Sequence, residues 1–299
     1  MNNYINFYYE LYPDDIVKKG NHYYFVLNNE KYYFVTYDRD VNEVDTLYKL
    51  NKEMISRNSL VHEIILNKKG EVITLIDEAY YVLLRVYVNE SVVITIDDVV
   101  FMLNSNDGVF SNSVISRTDW IKLWSLKIDY FEYQIGHLIK KYPYIYNTVD
   151  YYIGLGENAI TYMKELNDNI NSSSLSITHR RIGVNSTMFD LYNPLNLIID
   201  YKVRDVSEYL KDAFFNNVNV YSILDKLFKM CMFDRITLNL LFCRLLFPSY
   251  YFDLYENILE NDLNENLVIN IIKKSASYEY FLSFLIRNWS LYKIEWLSK

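Results

Sequence analysis

The residues with the clearest chemical potential lie between positions 179 and 205. The segment begins at His179, passes through an apolar stretch that ends at Asp200, and continues to Asp205. Phosphoryl transfer uses a loop acid that orients a hydroxyl group and a second acid, after an apolar strand, that holds metal and phosphates. Asp200 can supply the second acid. The first is missing, because Arg181 stands two residues after His179, and a guanidinium cannot accept a hydroxyl proton.

Asp200 has two possible roles. It follows Leu197-Ile198-Ile199, which predicts a buried strand, and an ionised carboxylate out of water needs a metal ion or hydrogen-bonding partners. We favour a structural ion pair with Arg180, Arg181 or Arg204 over a metal site, since perturbed acids are often structural. Such a pair would fill the space of a magnesium ion.

Asp205 stands at the start of the next predicted helix, where Asp is a favoured N-cap residue. The remaining histidines, His22, His62 and His137, have no triad or metal-ligand spacing. We expect them to be structural or exposed.

The pattern of apolar residues predicts strands first and helices afterwards. The predicted elements before position 90 are a hairpin of strands 22–27 and 31–36 around Asn28-Asn29-Glu30, a helix over 41–57, and strands over 61–66, 71–76 and 80–88. From Asp97 onward the pattern is helical, apart from short strands at 176–178 and 197–199. This order predicts an α+β protein with a β-rich lobe over residues 1–90 and a larger, mainly helical lobe over residues 91–299.

Composition excludes several classes of protein. A net charge of −8 and a pI near 5.1 argue against a surface for nucleic acid, which would need clustered Lys and Arg. No apolar run is long enough for a transmembrane segment, and the start lacks a secretory signal, so a cytoplasmic location is expected. Cys231 and Cys243, without CxxC spacing, are expected to be buried thiols, and the aromatic stretch 245–252 is expected to lie in the core.

Three segments carry a resemblance to a known family. They are residues 150–160, residues 179–211 and residues 243–252, with the sequences DYYIGLGENAI, HRRIGVNSTMFDLYNPLNLIIDYKVRDVSEYLK and CRLLFPSYYF. Together with the order of strands and helices, they make the chain similar to the spore-coat kinase-like proteins of the CotS and YutH type. These proteins share the two-lobed fold of aminoglycoside and choline phosphotransferases, which implies a kinase-like small lobe here and a catalytic segment over 176–211.

The resemblance also indicates where this sequence differs from an active kinase. His179 and Asp200 match the kinase positions, and related folds use an acid near Asp205 to fix the catalytic loop from below. The metal-binding Asn of small-molecule kinases would stand seven residues after the His, but Asn185 is six residues on and Ser186 takes that place.

The residues that bind the nucleotide phosphates in kinases are also missing from this sequence. The strand that carries the phosphate-binding Lys in kinases has aromatic residues and Thr in its interior, and only Gly20 lies near the first hairpin. Lys31 and Arg39 flank that strand and are expected to be solvated rather than phosphate ligands. Glu43 and Glu53, the candidates for the helix carboxylate, are expected to be surface charges.

These observations predict a catalytically degenerate kinase-like protein, or pseudokinase, that acts as a scaffold for protein partners, including spore coat components. No cofactor is expected. The alternative is a divergent small-molecule phosphotransferase that uses ATP and Mg²⁺, with Asp200 as the metal ligand and Asp190 as the substitute base. Under either hypothesis the resemblance implies association with a spore coat.

Overall fold

A computed structural model describes residues 1–20, 22–57, 59–105, 113–138, 141–166, 170 and 174–297, without the side chains of 105, 137 and 138. The strands are β1 (Val17–Lys19), β2 (His22–Leu27), β3 (Glu30–Thr36), β4 (Glu63–Ile65), β5 (Thr74–Ile76), β6 (Ala79–Val86), β7 (Leu175–His179) and β8 (Leu197–Tyr201). The helices are α1 (Asn2–Tyr9), α2 (Val44–Ser56), α3 (Ile96–Ser105), α4 (Trp120–Leu138), α5 (Pro143–Tyr146), α6 (Val149–Leu166), α7 (Met188–Tyr192), α8 (Arg204–Phe215), α9 (Val220–Met230), α10 (Arg235–Leu246), α11 (Ser249–Glu260) and α12 (Leu267–Trp289).

The chain divides into two compact units. The described residues of the first unit lie in 1–94, 113–116 and 185–199, and those of the second lie in 95–105, 117–184 and 200–297. The first unit therefore contains the main sheet, α1, α2 and α7. The second contains β7 and the other helices. Residues 185–199, which the sequence analysis assigned to the larger lobe, belong to the first unit.

The main sheet of the first unit is antiparallel, in the order β1-β2-β3-β6-β4, with β5 also pairing with β6. The predicted hairpin of β2 and β3 is confirmed. Asn28 and Asn29 both have positive φ angles, of 53° and 63°, which a tight hairpin turn needs and Asn tolerates. Phe25 pairs with Tyr32, and their rings stack 5.1 Å apart. The predicted helix over 41–57 is also confirmed as α2, preceded by a 3-10 turn at Val41–Glu43.

The second unit has a core of aromatic rings between helices. Tyr152 of α6 stacks on Tyr251 of α11 with 3.7 Å between ring centroids, and Trp124 of α4 stacks on Phe247 at 4.5 Å. The core position predicted for the aromatic stretch 245–252 is confirmed by the burial of most of its residues, and both cysteines are buried thiols as predicted. None of the helices within the described residues is long and apolar enough to cross a membrane.

Strands β7 and β8 form a separate two-stranded sheet. Each ends in residues of the candidate site. His179 is the last residue of β7, and Asp200 and Tyr201, the last two residues of β8, belong to the second unit with it.

Candidate functional site

His179 is fixed by an acid from the first turn of α8. The backbone N–H of His179 donates to Oδ1 of Asp205 over 2.9 Å, and its Nδ1 lies 2.6 Å from Oδ2 of the same carboxylate. Both side chains are buried. Of the two roles left open for Asp205, the helix cap is not the one observed, because α8 begins at Arg204 with Val203 at the N-cap and no side-chain cap. The carboxylate instead holds the end of β7, which lies 26 residues earlier in sequence.

Asp200 is completely buried, and both of its carboxylate oxygens accept hydrogen bonds. Nε1 of Trp120 donates to Oδ1 over 2.8 Å, and the backbone N–H of Tyr201 donates to the same oxygen over 2.7 Å. Nη1 of Arg204 donates to Oδ2 over 2.7 Å. Burial raises the pKa of Asp200, whereas Arg204 and Arg244 act to lower it. All three contacts are donors that favour the charged carboxylate, but burial outweighs them and the pKa of Asp200 is raised.

Arg204 also connects Asp200 to the loop after β7. Its Nε donates to the carbonyl of His179 over 2.8 Å, and its Nη2 donates to the carbonyl of Arg180 over 3.1 Å. The Arg204 guanidinium therefore donates to one carboxylate and two backbone carbonyls. Its planar arrangement of N–H donors allows all three bonds at once. The side chains of Arg180 and Arg181 belong to exposed residues, and the contact with Asp200 is made by Arg204.

The donor set around Asp200 does not fit magnesium. Mg²⁺ takes six oxygen ligands in near-ideal octahedral geometry. Here a guanidinium, an indole N–H and a backbone N–H surround the carboxylate oxygens. Among the side chains that the structure describes, no group of three or more His, Cys, Asp and Glu residues could hold a metal ion. The positive charge that an ionised Asp200 needs comes from Arg204.

Glu208, Lys211 and Arg244 form a second set of charges, which is connected to Asp200 through Trp120. The sequence analysis assigned it no role. Oε1 of Glu208 lies 2.8 Å from Nζ of Lys211 and 2.6 Å from Nε of Arg244. The Arg244 guanidinium sits over the Trp120 ring at 5.2 Å, a cation–π contact. Burial acts to raise the pKa of Glu208, but Lys211, Arg244 and Arg204 outweigh it and the pKa is lowered. Burial lowers the pKa of Lys211 to about 8, against the opposing charge of Glu208.

The rest of the loop after β7 is also held by α8. The backbone N–H of Val184 donates to Oδ2 of Asp212 over 2.8 Å. A Cβ atom on Gly183 would come within 2.4 Å of that same oxygen and 3.2 Å of the Asp212 Cβ. A side chain at 183 would therefore have to displace the Asp212 carboxylate.

Asp190, the candidate substitute base, lies in α7 of the first unit. Its Oδ2 accepts from the backbone N–H of Thr187 over 2.8 Å and from the Thr187 hydroxyl over 3.0 Å. The two residues form a capping box at the start of α7. The contacts of this carboxylate are thus those of a helix cap.

The candidate phosphate ligands of the first unit are paired with acids. Nζ of Lys31 lies 2.9 Å from both carboxylate oxygens of Glu90. Nε of Arg39 donates to Glu43 over 2.5 Å, and its Nη1 donates to the carbonyl of Leu195 over 2.9 Å. The surface position predicted for Glu43 is wrong, because its residue is only 6% exposed and pairs with a buried arginine.

Glu53 and the remaining histidines take no part in the polar contacts described above. Glu53 is exposed as predicted and pairs with Arg57 one helical turn later. His22 is half-buried and His62 is fully buried, whereas the side chain of His137 lies outside the described part of the chain.

Comparison with known sequences identifies the family. The family model described as "Spore coat putative kinase YutH" matches residues 2–285. The chain is 26% identical over 185 residues to the endospore coat-associated protein YutH of Bacillus subtilis (strain 168), and the match covers 55% of each protein. The chain therefore spans about half the length of the curated relative that it matches.

Comparison with solved structures identifies the fold. The chain is similar to an aminoglycoside phosphotransferase from Alicyclobacillus acidocaldarius subsp. acidocaldarius DSM 446, with a TM-score of 0.64 at 7% identity over 93% of both chains. It is also similar to amicoumacin kinase hAmiN, with a TM-score of 0.56 at 10% identity over 96% of this chain and 91% of that one. For choline kinase LicA from Streptococcus pneumoniae the TM-score is 0.54 at 10% identity, over 93% and 96% of the two chains.

These likenesses confirm the predicted α+β fold of the aminoglycoside phosphotransferase type, with its antiparallel sheet and mainly helical C-terminal part. Because the family model spans nearly all of the sequence, the chain belongs to the spore coat YutH family.

Proposed function

We propose that this chain is a catalytically degenerate kinase-like protein that serves as a scaffold or interaction protein in the spore coat. The observation that carries the proposal is the set of hydrogen bonds to Asp200. The acid that would hold a metal ion is buried, and its oxygens accept from Arg204, Trp120 and a backbone N–H. Phosphoryl transfer depends on positioning and on cations placed against the phosphates, and this carboxylate serves neither purpose in the present arrangement.

Two further features support the proposal. Arg181 stands at the position of the catalytic acid and cannot accept a proton. Lys31 lies near the start of β3, the strand that would carry a phosphate-binding lysine, and it is bound by Glu90 through both oxygens. A reaction that needs a base, a metal ion and a phosphate-binding cation would lack all three.

The polar framework of the site supports a structural role. His179, Asp205 and Arg204 tie the end of β7 to α8, and buried hydrogen-bonded groups of this kind rigidify a fold when they are fully paired. A fold that is held by such contacts can present surfaces to protein partners without any turnover. The spore coat role comes from the family and from the relative named as endospore coat-associated.

ATP turnover tests the proposal. The full chain is incubated with ATP and Mg²⁺, and ADP release is compared with that of Asp200→Asn and Asp190→Asn variants. We expect all three proteins to match the protein-free blank, while an aminoglycoside phosphotransferase assayed beside them releases ADP. Release by the unmodified chain that both variants abolish would overturn the proposal in favour of a phosphotransferase with Asp190 as its base.

A further inference from the structure

The turn between α9 and α10 carries apolar side chains that face solvent. Met232 is 100% exposed, so no other part of the described chain covers it. Met230, the last residue of α9, and Phe228, two residues before it, are 36% and 38% exposed. Single exposed apolar residues are common on proteins, whereas a contiguous set that is flanked by charges marks an interaction surface. We call residues 228–233 the α9–α10 tip.

The α9–α10 tip rests on aromatic rings and has a hydrogen-bonded backbone. The Phe228 ring makes edge contacts with Phe233, at 5.9 Å between centroids, and with Trp289 of α12, at 5.3 Å. The backbone N–H of Cys231 donates to the carbonyl of Leu227 over 2.9 Å, and Cys231 is buried. The exposed methionine that follows Cys231 is therefore held in place by the fold.

Two exposed cations flank the α9–α10 tip. Lys229 lies in the last turn of α9 and Arg235 is the first residue of α10, and neither forms an ion pair with an acid among the described residues. Asp234 is the N-cap of α10, where its Oδ1 accepts from the backbone N–H of Thr237 over 2.7 Å. Two cations and one acid give residues 228–235 a net charge of +1, on a chain whose net charge is −8. This local positive charge complements an anionic surface.

We propose that the α9–α10 tip docks on the surface of an anionic lipid bilayer. Met230 and Met232 enter the boundary between headgroups and acyl chains, and Lys229 and Arg235 contact the headgroups. A methionine that projects without cover needs no matching cavity in a bilayer, whereas a protein partner would have to supply a pocket for it. The inference goes beyond the proposed function, because it does not depend on the hydrogen bonds to Asp200.

Vesicle binding tests the proposal. The full chain is sedimented with vesicles of phosphatidylcholine alone and with vesicles of equal parts phosphatidylcholine and phosphatidylglycerol. We expect at least about fivefold tighter binding to the anionic vesicles, and loss of this difference in about 0.5 M NaCl, which screens exposed charges. Met232→Ser should weaken binding to the anionic vesicles about tenfold, and Lys229→Gln should weaken it about fivefold.

The matched controls are exposed residues of α4. Leu126→Ser removes a side chain that is 56% exposed, and Lys122→Gln removes an exposed cation. Both variants should bind within about twofold of the unmodified chain. Absent binding, or equal binding to the two kinds of vesicle, would overturn the proposal and leave the tip as a surface for a protein partner. Controls that lose as much affinity as the tip variants would also overturn it.

A fluorescent label gives a second test that reports on the tip itself. The two cysteines of the chain are both buried, so a thiol-reactive nitrobenzoxadiazole dye selects a new surface cysteine. Anionic vesicles should raise the emission of labelled Met232→Cys at least about twofold, because the dye leaves water, and should not change that of labelled Leu126→Cys. A chain that binds the vesicles while the dye at position 232 stays in water would contradict docking through the tip.

Discussion

Asp200 and Arg204 form a buried ion pair. Each residue compensates the charge of the other. The carboxylate is completely buried, and the Arg204 side chain is 13% exposed. Loss of one member of such a pair leaves a charge without compensation and costs about 3–5 kcal/mol, whereas replacement of both by apolar groups can be nearly neutral. Trp120 adds a donor to Asp200 and a ring beneath Arg244, which links this pair to the charges around Glu208.

We predict that Arg204→Met lowers the free energy of unfolding by about 3–5 kcal/mol. The double variant Asp200→Leu with Arg204→Met should lose clearly less than the sum of the two single changes, because no charge is then stranded. Urea unfolding measures all three. Arg57→Met is the matched control, since Arg57 also pairs with an acid four positions away but is exposed, and it should change stability by less than about 0.5 kcal/mol. Additive losses at 200 and 204 would contradict the account.

At the scale of elements, helix α8 organises the loop that follows β7. Asp205 binds His179 at the start of the loop, and Asp212, two turns further along the helix, binds the N–H of Val184. The loop passes so close to α8 that a Cβ on Gly183 would overlap the Asp212 carboxylate in its present position. The position of the loop after β7 is therefore set by its contacts with α8.

Gly183→Ala should displace Asp212 and destabilise the protein by about 1–3 kcal/mol, because the added methyl overlaps a carboxylate held in place by a hydrogen bond. Gly154→Ala is the control. Gly154 lies inside α6 with open space at its Cβ position, so alanine there should stabilise the helix by about 0.5–1 kcal/mol. Thermal unfolding of both variants gives the comparison, and a neutral Gly183→Ala would show that α8 does not constrain the loop.

Elements set by local sequence were predictable, and those set by distant contacts were not. Asn28 and Asn29 suffice to specify the hairpin, and the helical spacing over 41–57 suffices for α2. The sequence left a helix cap and a loop contact open for Asp205, because the residue that this acid binds lies 26 positions away. Helix α7 has five residues, too few for a clear period, and its position against the linker that follows β6 depends on tertiary pairing.

At the scale of the whole molecule, the charged site is built from segments that lie far apart in sequence. The order of His179, Asp200 and Arg204 is readable from the chain, but Trp120 is 80 positions before Asp200 and Arg244 is 36 positions after Glu208. Sequence spacing gives no information on such partners in the absence of a repeat.

The positions of the tyrosine side chains were also not predictable from composition. Of the 31 tyrosines, several are buried with their hydroxyl groups bonded inside the fold, as in Tyr278, which donates to the carbonyl of Leu245 over 2.8 Å. Composition therefore did not reveal which aromatic residues face solvent and could meet a partner.

The most direct test of the central claim is a thermal unfolding titration of the full chain with ATP and ADP, each with and without Mg²⁺. A ligand that binds only the folded state must raise the midpoint, and the same titration of an aminoglycoside phosphotransferase confirms the readout. Because Asp200 is occupied by Arg204 and Trp120, we predict a shift of less than about 1 °C at millimolar nucleotide in every case. A magnesium-dependent shift that Asp200→Asn abolishes would contradict the account.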